Sequence, residues 1–491
     1  MSRPLIAFSC VLAFLGCAQP ATAAKGMFVG ASEDASRSIS IVHAKAKMDL
    51  AALAGFDAIR VTSIWKPGER EPSPHELWAL QNVSWAADLN GIRPILSVYH
   101  AGSKTTPLTA KARGDFTAYV TALALGLPGV SDFIIGNEPN LNRFWLPQFT
   151  RDGRNAAAPG YVDLLARSYD ALKAVSPEIK VIGGAISPRG SDNPRLKRHT
   201  HSPTQFILDM GGAYRRSGRQ RPIMDAFALH PYLVKSKLPP TFAHPKSTSI
   251  GLADYEKLVG LLRRAFDGTA QPGSQLPIVY AEFGVQTTIP QQKQSAYENL
   301  KAPGGRDAVP ESVQAAYYRQ ALALAYCQPN VRGILLLHVT DEPQLDRWQS
   351  GIYYADDTRK SSFEPVKQAI ADLRSRTIST CQTTDFSVGV ESVGFPPQST
   401  FTAGHARWEL QLACTRSCRY TARIERLPDR ETMLVARGVQ DALEQTTVSF
   451  PAQALPPGTY RYMLAVGARF AHSELVYRLS DPFTVNSPDP G

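Results

Sequence analysis

The chain has little of what marks several common classes of protein. Its six cysteines are spread over 491 residues, and the cysteines and histidines together do not have the ligand spacing of a zinc site. After the first 23 residues no stretch is long and apolar enough to cross a membrane. The net charge of +10 is dispersed, apart from one dense basic segment at 189–201, so a nucleic-acid partner is not expected.

The N-terminus has the features of an export signal. Arg3 precedes an apolar run at 5–15, and residues 21–23 (Ala-Thr-Ala) form a small-x-small cleavage pattern. We therefore expect residues 1–23 to be a signal peptide and the mature protein to be secreted or extracytoplasmic, with no integral membrane segment. The alternative is a lipoprotein anchored through Cys17, although the residues before it fit a lipobox poorly.

Removal of the signal peptide leaves Cys327, Cys381, Cys414 and Cys418. An even number of cysteines in an exported protein suggests disulfides. Cys414 and Cys418 could close a local turn, and Cys327 with Cys381 could tie a helix end to the segment beyond the last helix.

Between residues 26 and 374, apolar strand-like runs alternate with longer amphipathic stretches rich in Ala and Leu. Eight such repeats predict an α/β fold in which a parallel sheet closes into a (β/α)8 TIM barrel. The alternative, an open doubly wound sheet, usually carries a Gly-rich phosphate turn after its first strand, and residues 26–30 do not fit it. The predicted strands are 27–31, 58–64, 93–99, 132–136, 180–185, 224–229, 277–281 and 333–338.

The pattern changes beyond Cys381 to period-two alternation between Gly/Pro turns, which predicts a small antiparallel β-sandwich. The expected domains are thus the signal peptide 1–23, a catalytic barrel at 24–376 and the C-terminal sandwich at 381–487. The sandwich could bind carbohydrate or pack on the barrel. In the barrel, the segments after strands four to seven are long, and such loops build the clefts of barrel enzymes.

Two apolar runs each end in a glutamate, Glu138 after 133–137 and Glu282 after 278–281. A carboxylate at the end of an apolar strand is costly to bury without a partner or a task. Each one alone could be a helix cap or a buried ion-pair partner. Together they are the pair that cleaves a glycosidic bond, in which one protonates the leaving oxygen and the other attacks or activates water.

Other polar residues interrupt or end the predicted strands. Arg60 lies inside an apolar strand and needs an anion, for which Glu282 is a fitting partner. His230 and Tyr232 end the sixth strand, and His100 ends the third. Histidines at strand ends are often only structural, but three polar strand ends on one rim predict a polar cleft, in which Tyr232 could hydrogen-bond Glu282.

Four of these strand ends resemble clan A glycoside hydrolases, the retaining (β/α)8 group, and within it the cellulase-like family 5 and the xylosidase-like family 39. The matching motifs are 58–61 (Ala-Ile-Arg-Val), 136–139 (Gly-Asn-Glu-Pro), 229–232 (Leu-His-Pro-Tyr) and 281–284 (Ala-Glu-Phe-Gly). The resemblance covers residues 26–374. It implies Glu138 as acid/base, Glu282 as nucleophile, Asn137 as the contact to the sugar 2-hydroxyl, and Arg60, His230 and Tyr232 as supports.

The chain departs from this pattern at the end of the eighth strand. Many relatives carry a tryptophan there, on which the sugar stacks, whereas this chain has His338. Either His338 or Trp348 is expected to take that role. Aromatic rim residues such as Trp145 are further candidates for sugar stacking, although such tryptophans also serve as core plugs. The predicted substrate-binding residues are Arg60, His100, Asn137, His230, Tyr232, Trp145, His338 and Trp348.

These features together predict a secreted retaining glycoside hydrolase that cleaves β-linked oligo- or polysaccharides through a covalent glycosyl-enzyme intermediate. No metal or other cofactor is expected. The alternative is a catalytically inactive glycan-binding barrel protein of the cell envelope. A metal-dependent barrel hydrolase, the third class, would lose its activity in EDTA.

Overall fold

A computed structural model of the chain describes residues 26–244, 247–299, 307–375, 390–414, 418–440, 445–468 and 475–487. The predicted signal peptide, Cys17 and Cys381 lie outside these ranges, as do the residues at which the two predicted domains would meet. No helix within the described ranges is long and apolar enough to span a bilayer.

The first eight strands form a closed parallel barrel, in which β1 pairs with both β2 and β8. The predicted (β/α)8 fold is thus confirmed. The strands are β1 Phe28–Ser32, β2 Ala58–Trp65, β3 Arg93–His100, β4 Asp132–Ile135, β5 Lys180–Ile186, β6 Ala226–Leu229, β7 Ile278–Phe283 and β8 Val331–Leu337. The helices between and after them are α1 Ile41–Leu53, α2 Pro74–Leu89, α3 Ala110–Gly126, α4 Ala157–Val175, α5 Pro203–Arg216, α6 Tyr255–Phe266, α7 Glu311–Tyr326 and α8 Phe363–Arg374.

Four of the helices begin at a hydroxyl side chain that accepts a hydrogen bond from the backbone N–H three residues later. This contact satisfies one of the N–H groups that the first helical turn leaves without a partner. In α2 and α5 a proline follows the cap, where its fixed φ suits the first helical residue. The four caps are Ser40, Ser73, Thr109 and Ser202.

The barrel strands are buried on both faces, which explains their nearly continuous apolar sequences. Their outer faces pack against the helices in one large apolar cluster. The inner faces form a separate, smaller cluster that is rich in alanine. Arg60, a long cation on β2, is also fully buried. The inner cluster includes Ala58, Ala185, Ala226, Ala228 and Ala281.

A buried ion pair fixes the loops that follow β7 and β8. Lys360 Nζ lies 2.8 Å from Asp341, and both side chains are fully buried. The same Nζ donates to Thr287 Oγ1 at 2.7 Å and to the Gln349 carbonyl at 3.3 Å. Because Gln349 is next to Trp348, this pair holds in place the segment that carries a candidate sugar-stacking residue.

The C-terminal region forms two sheets around one apolar core, to which Trp408, Tyr460 and Phe483 contribute. One sheet has the order β10-β17-β15-β12-β13 with β16 on β15, and the other has the order β14-β11-β9; β10 and β17 pair in parallel and the other pairs are antiparallel. Its strands are β9 Val390–Gly394, β10 Thr400–Phe401, β11 Glu409–Cys414, β12 Cys418–Arg426, β13 Glu431–Gln440, β14 Thr446–Ser449, β15 Gly458–Ala468, β16 Val476–Leu479 and β17 Phe483–Val485.

In this region the period-two alternation predicts strands at 386–390, 406–412, 420–424, 446–450, 460–466 and 483–485, so it misses β10, β13 and β16. Strand β13 is long, but its residues 433–436 (Met-Leu-Val-Ala) are continuously apolar, so the period-two signal is lost. The first strand expected here, at 386–390, lies almost wholly outside the described residues. The disulfide between Cys414 and Cys418 is present in the structure, whereas the pairing of Cys327 with Cys381 involves a residue outside the described ranges.

The buried Lys360–Asp341 pair yields a stability prediction. Lys360→Met leaves the Asp341 carboxylate buried without its cation, so we expect the free energy of unfolding to fall by about 3–5 kcal/mol. Adding Asp341→Asn should recover most of this loss, because the second substitution removes the unpaired charge. Urea denaturation of the two variants measures both effects, and equal stability of the single and double variants would contradict the explanation.

Candidate active site

A cavity of about 1010 Å³ opens at the carboxyl ends of the barrel strands. Each of the eight strands, or the loop after it, contributes to its wall. Glu138 and Glu282 both lie in this wall, with Arg60, Asn137 and Tyr232. Residues far apart in sequence therefore converge in one polar cleft, at the end of the barrel where such folds carry their active sites.

Glu282, near the end of β7, is held by three side chains. The Arg60 guanidinium forms an ion pair with its Oε1, the Tyr232 hydroxyl donates to its Oε2 at 3.0 Å, and His230 Nδ1 lies 3.5 Å from Oε2. Burial alone would raise the pKa of Glu282. The charges of His230 and Arg60 and the two hydrogen bonds outweigh this effect and lower the pKa to about 2.

Arg60 contacts four further strands or strand ends of the barrel. Its guanidinium donates to Ser32 Oγ at 3.2 Å, Ser97 Oγ at 3.1 Å, Asn137 Oδ1 at 3.4 Å and the Ala281 carbonyl at 3.3 Å. Only Nε has no partner among the described residues. The arginine thus fixes Glu282 and orients the Asn137 amide at the same time.

Glu138 has a strained backbone conformation, with φ at +41°. Strand β4 ends at Ile135, and Gly136 turns the chain with φ at +91°. The Glu138 N–H then donates to the Ala185 carbonyl at 2.8 Å, and Ala185 itself has φ at +46°. Non-glycine residues in this region cost free energy and concentrate at functional sites. The strain here sets the direction in which the Glu138 side chain leaves the strand end.

His230 lies between the two carboxylates and is fully buried. Its Nδ1 is 3.2 Å from Glu138 Oε1 and 3.5 Å from Glu282 Oε2. These two carboxylate oxygens therefore cannot be farther apart than the sum of those two distances. One oxygen of each glutamate thus approaches the same imidazole nitrogen.

Aromatic side chains form one side of the cleft. The rings of Tyr232 and Trp348 pack at 5.0 Å with an interplanar angle of 31°. The backbone N–H of Trp348 donates to Glu342 Oε2 at 3.0 Å, and this hydrogen bond fixes the loop after β8. His338 also lines the cavity, and its Nδ1 lies 2.9 Å from the Ser32 carbonyl. Trp348 is thus the tryptophan that reaches the cavity from the loop after β8.

Three predicted substrate-binding residues do not line the cavity: His230, which contacts both glutamates but is fully buried, Trp145 and His100. The latter two pack against each other. Trp145 is 2% exposed and packs edge-on against His100, with ring centroids 5.6 Å apart. His100 Nδ1 lies 2.9 Å from the Gly102 carbonyl. Both side chains are positioned to support the wall from behind and not to contact a sugar. The sequence placed them near the rim but did not indicate which way their side chains face.

The wall contains residues that the sequence analysis did not select, among them Tyr99, Arg143 and Lys235. Tyr99 could have been found from strand periodicity, because successive side chains of β3 point to opposite faces. If His100 faces outward, its neighbour Tyr99 must face the cleft. Burial raises the pKa of Tyr99 to about 12, although the Arg60 charge opposes this change.

No protein-family model matches the chain, and no curated protein matches it. Similar solved structures include GH5_18 from Streptomyces cattleya in complex with GlcNAc, at 15% identity over 78% of this chain and 84% of that chain, with a TM-score of 0.49. A glucosidase from Croceicoccus marinus is 12% identical over 89% of this chain and 95% of that chain, with a TM-score of 0.49. A variant of Bacteroides uniformis beta-glucuronidase 2 is 11% identical over 95% of this chain, with a TM-score of 0.44, and this chain spans only 46% of that protein.

All three structures are distant from this chain, with TM-scores below 0.5. The closed eight-stranded barrel itself establishes the fold.

The contact between Tyr232 and Glu282 can be tested without any substrate. Tyr232→Phe removes a donor to the charged carboxylate, so we expect the pKa of Glu282 to rise above about 2. The pKa is measured by a pH titration that follows the 13Cδ signal of Glu282 by NMR in protein with labelled glutamate. The signal that is missing in Glu282→Gln is assigned to Glu282. Tyr317→Phe, which removes a hydroxyl bonded to the Lys237 carbonyl, is the control. An unchanged pKa in Tyr232→Phe would contradict the proposed contact.

Proposed function

We propose that the protein is an extracytoplasmic retaining glycoside hydrolase that acts on β-linked glycans, with Glu282 as nucleophile and Glu138 as acid/base. The observation that supports this most strongly is the approach of both glutamates to His230 Nδ1, at 3.2 and 3.5 Å, while only Glu282 is paired with a buried arginine. Two neighbouring carboxylates with different partners can take different roles at one pH.

Glu282 has the properties of a nucleophile. With a pKa of about 2 it is ionised at any pH at which the protein would work. Its Oε1 is occupied by Arg60, and its Oε2 accepts the Tyr232 hydroxyl. In the first step Oε2 would attack the anomeric carbon, and Glu138 would give its proton to the departing oxygen.

The second step reverses the role of Glu138. A water molecule enters where the leaving group was, Glu138 takes its proton, and the oxygen attacks the anomeric carbon of the glycosyl ester. The bond to Glu282 breaks, and the nucleophile returns as a carboxylate paired with Arg60. The chain's own residues supply each proton transfer in this cycle.

The carboxylate spacing supports a retaining over an inverting mechanism. Retaining enzymes hold their carboxyl groups about 5–5.5 Å apart, whereas inverting enzymes need about 6.5–9.5 Å to admit a water molecule. One oxygen of each carboxyl group lies 3.2 and 3.5 Å from the same His230 nitrogen, and so short an approach of these two oxygens favours the first range.

Two further groups suit a sugar between the glutamates. Asn137 is held by Arg60 at 3.4 Å, and its amide nitrogen would contact the 2-hydroxyl, as the family resemblance implies. Trp348, packed against Tyr232, offers an apolar face on which sugar C–H groups can stack. With an aromatic face and a carboxylate pair in one cleft, the catalytic interpretation is favoured over a barrel that only binds glycans.

Replacement of the nucleophile tests the assignment. Glu282→Gln keeps the shape of the side chain and one acceptor oxygen for Arg60, while its NH2 group can donate to the Tyr232 hydroxyl. It cannot attack carbon, so we expect kcat on the best of a panel of aryl β-glycosides to fall at least about a thousandfold. Circular dichroism should show an intact fold. Asp307→Asn, on the cavity wall but outside the pair, is the control. Turnover by Glu282→Gln at the wild-type rate would overturn the proposal, and no turnover by the wild type would favour the glycan-binding alternative.

Replacement of Glu138 should give a different result. In Glu138→Ala, loss of the acid should slow cleavage by about 10²–10⁴-fold for leaving groups that need protonation. With an activated aryl β-glycoside, azide should restore turnover and yield the β-glycosyl azide, because Glu282 still forms the ester. Product analysis by NMR distinguishes the roles, since an α-azide would indicate that Glu138 is the nucleophile. Absence of any azide product would contradict the acid/base role.

A further inference from the structure

Four cations line the part of the cavity that follows β4, β5 and β6. Within the described residues, none of their side chains forms an ion pair or a hydrogen bond. This is unusual in a protein that pairs many of its other charged side chains, including Arg60 in the same cavity. The four are Arg143, Arg189, Arg198 and Lys235.

Arg189 provides the strongest observation. Its Nη1 is buried and has no hydrogen-bond partner among the described residues. A buried N–H of a charged group without an acceptor carries a large desolvation cost. Burial accordingly lowers the pKa of Arg189, with the Glu138 charge opposing this change and Arg198 adding to it. An acceptor from a bound molecule would remove that cost.

Two acids at the same mouth, Asp34 and Glu342, already have hydrogen-bond partners, and a third, Asp307, lies in the loop after β7. Asp34, in the loop after β1, accepts hydrogen bonds from the Thr62 N–H at 2.7 Å and the Thr62 hydroxyl at 2.6 Å. Glu342, in the loop after β8, accepts from the Trp348 N–H. At this mouth, therefore, the cations that follow β4, β5 and β6 have no ion-pair partner within the described residues, whereas the carboxylates that follow β1 and β8 are hydrogen-bonded.

The loop that carries Arg189 is fastened to the segment that carries Glu138. Asn140 Nδ2 donates to the Ser187 carbonyl at 3.2 Å and to the His201 carbonyl at 3.0 Å. Gly190 lies so close to His201 that a Cβ there would be 1.9 Å from the His201 carbonyl oxygen. These contacts anchor the backbone on both sides of Arg189, and the Arg189 charge lies near enough to Glu138 to interact with it electrostatically.

We propose that the unit leaving from Glu138 carries an anionic group, a carboxylate or a sulfate, which Arg189 binds with help from Arg198. This inference rests on the proposed function, since Glu138 marks the side of the leaving group only if it is the acid. The planar guanidinium donates two parallel N–H groups to such an oxyanion. The substrate class is then an acidic glycan, with the negative charge on the sugar that departs.

Aryl glycosides with matched leaving groups test this assignment for whichever sugar the enzyme accepts. One nitrophenol carries a carboxylate, and the other carries a carboxamide at the same ring position. We expect the wild-type kcat/KM to be at least tenfold higher for the carboxylate after correction for leaving-group pKa. This ratio should fall at least tenfold in Arg189→Gln and decrease with added salt.

Arg195→Gln is the matched control, because Arg195 is exposed in the same loop and does not line the cavity. It should retain the wild-type ratio. A ratio near one in the wild type, or an equal loss in Arg189→Gln and Arg195→Gln, would overturn the assignment.

A binding experiment separates failure of this inference from failure of the proposed function. The Glu282→Gln variant is titrated with D-glucuronate, D-glucose 6-sulfate and D-glucose, and binding is followed by saturation-transfer NMR. Tighter binding of either anion than of glucose, lost in the Glu282→Gln/Arg189→Gln double variant, supports the anion site even if no glycoside is turned over. The two anions distinguish carboxylate from sulfate. Equal binding of all three sugars overturns the inference whatever the turnover result.

Discussion

The ion pair between Arg60 and Glu282 is the constraint on which the barrel mouth depends. A buried carboxylate without a cation would be protonated, and a buried guanidinium without an anion would be strongly destabilising. Arg60 also donates to Ser32, Ser97 and Asn137, which belong to β1, β3 and the end of β4. The interaction that sets the charge of Glu282 therefore also ties strands together around it, so that the electrostatics of the site are part of the fold.

A second constraint follows from the first, because another carboxylate lies beside the ionised Glu282. Like charges at this separation repel, so Glu138 needs a fixed direction of its own. The structure supplies that direction through a positive φ of 41° at Glu138 and a hydrogen bond to Ala185. His230, which contacts both carboxylates, reduces their repulsion when it is protonated. Backbone strain and one buried imidazole together keep the two carboxyl groups close to each other.

The barrel and the converging glutamates could be predicted from the sequence, because buried parallel strands are long apolar runs and a polar residue at their ends is conspicuous. The contacts of Glu282 with Arg60 and Tyr232 followed from the need to compensate charge. The direction in which the rim side chains point could not be predicted from the sequence. Trp145 and His100 pack behind the cavity wall, whereas Trp348 lines the cavity. Loop direction depends on distant packing, such as the Lys360–Asp341 pair, which no local pattern contains.

The two arginines nearest the carboxylates differ in what surrounds them. Arg60 is paired with Glu282 and donates through Nη1 and Nη2 to acceptors of the protein, with only Nε lacking one, so its charge is used internally, to keep Glu282 ionised. Within the described residues the Arg189 side chain forms neither an ion pair nor a hydrogen bond, although its Nη1 is buried, so its charge remains available to a ligand. A cation that is paired with a carboxylate of the protein lowers the pKa of that carboxylate, whereas a cation without such a partner favours the binding of an anionic ligand. Since Arg189 is fastened beside Glu138 through Asn140, selection by charge would act on the same unit that Glu138 protonates.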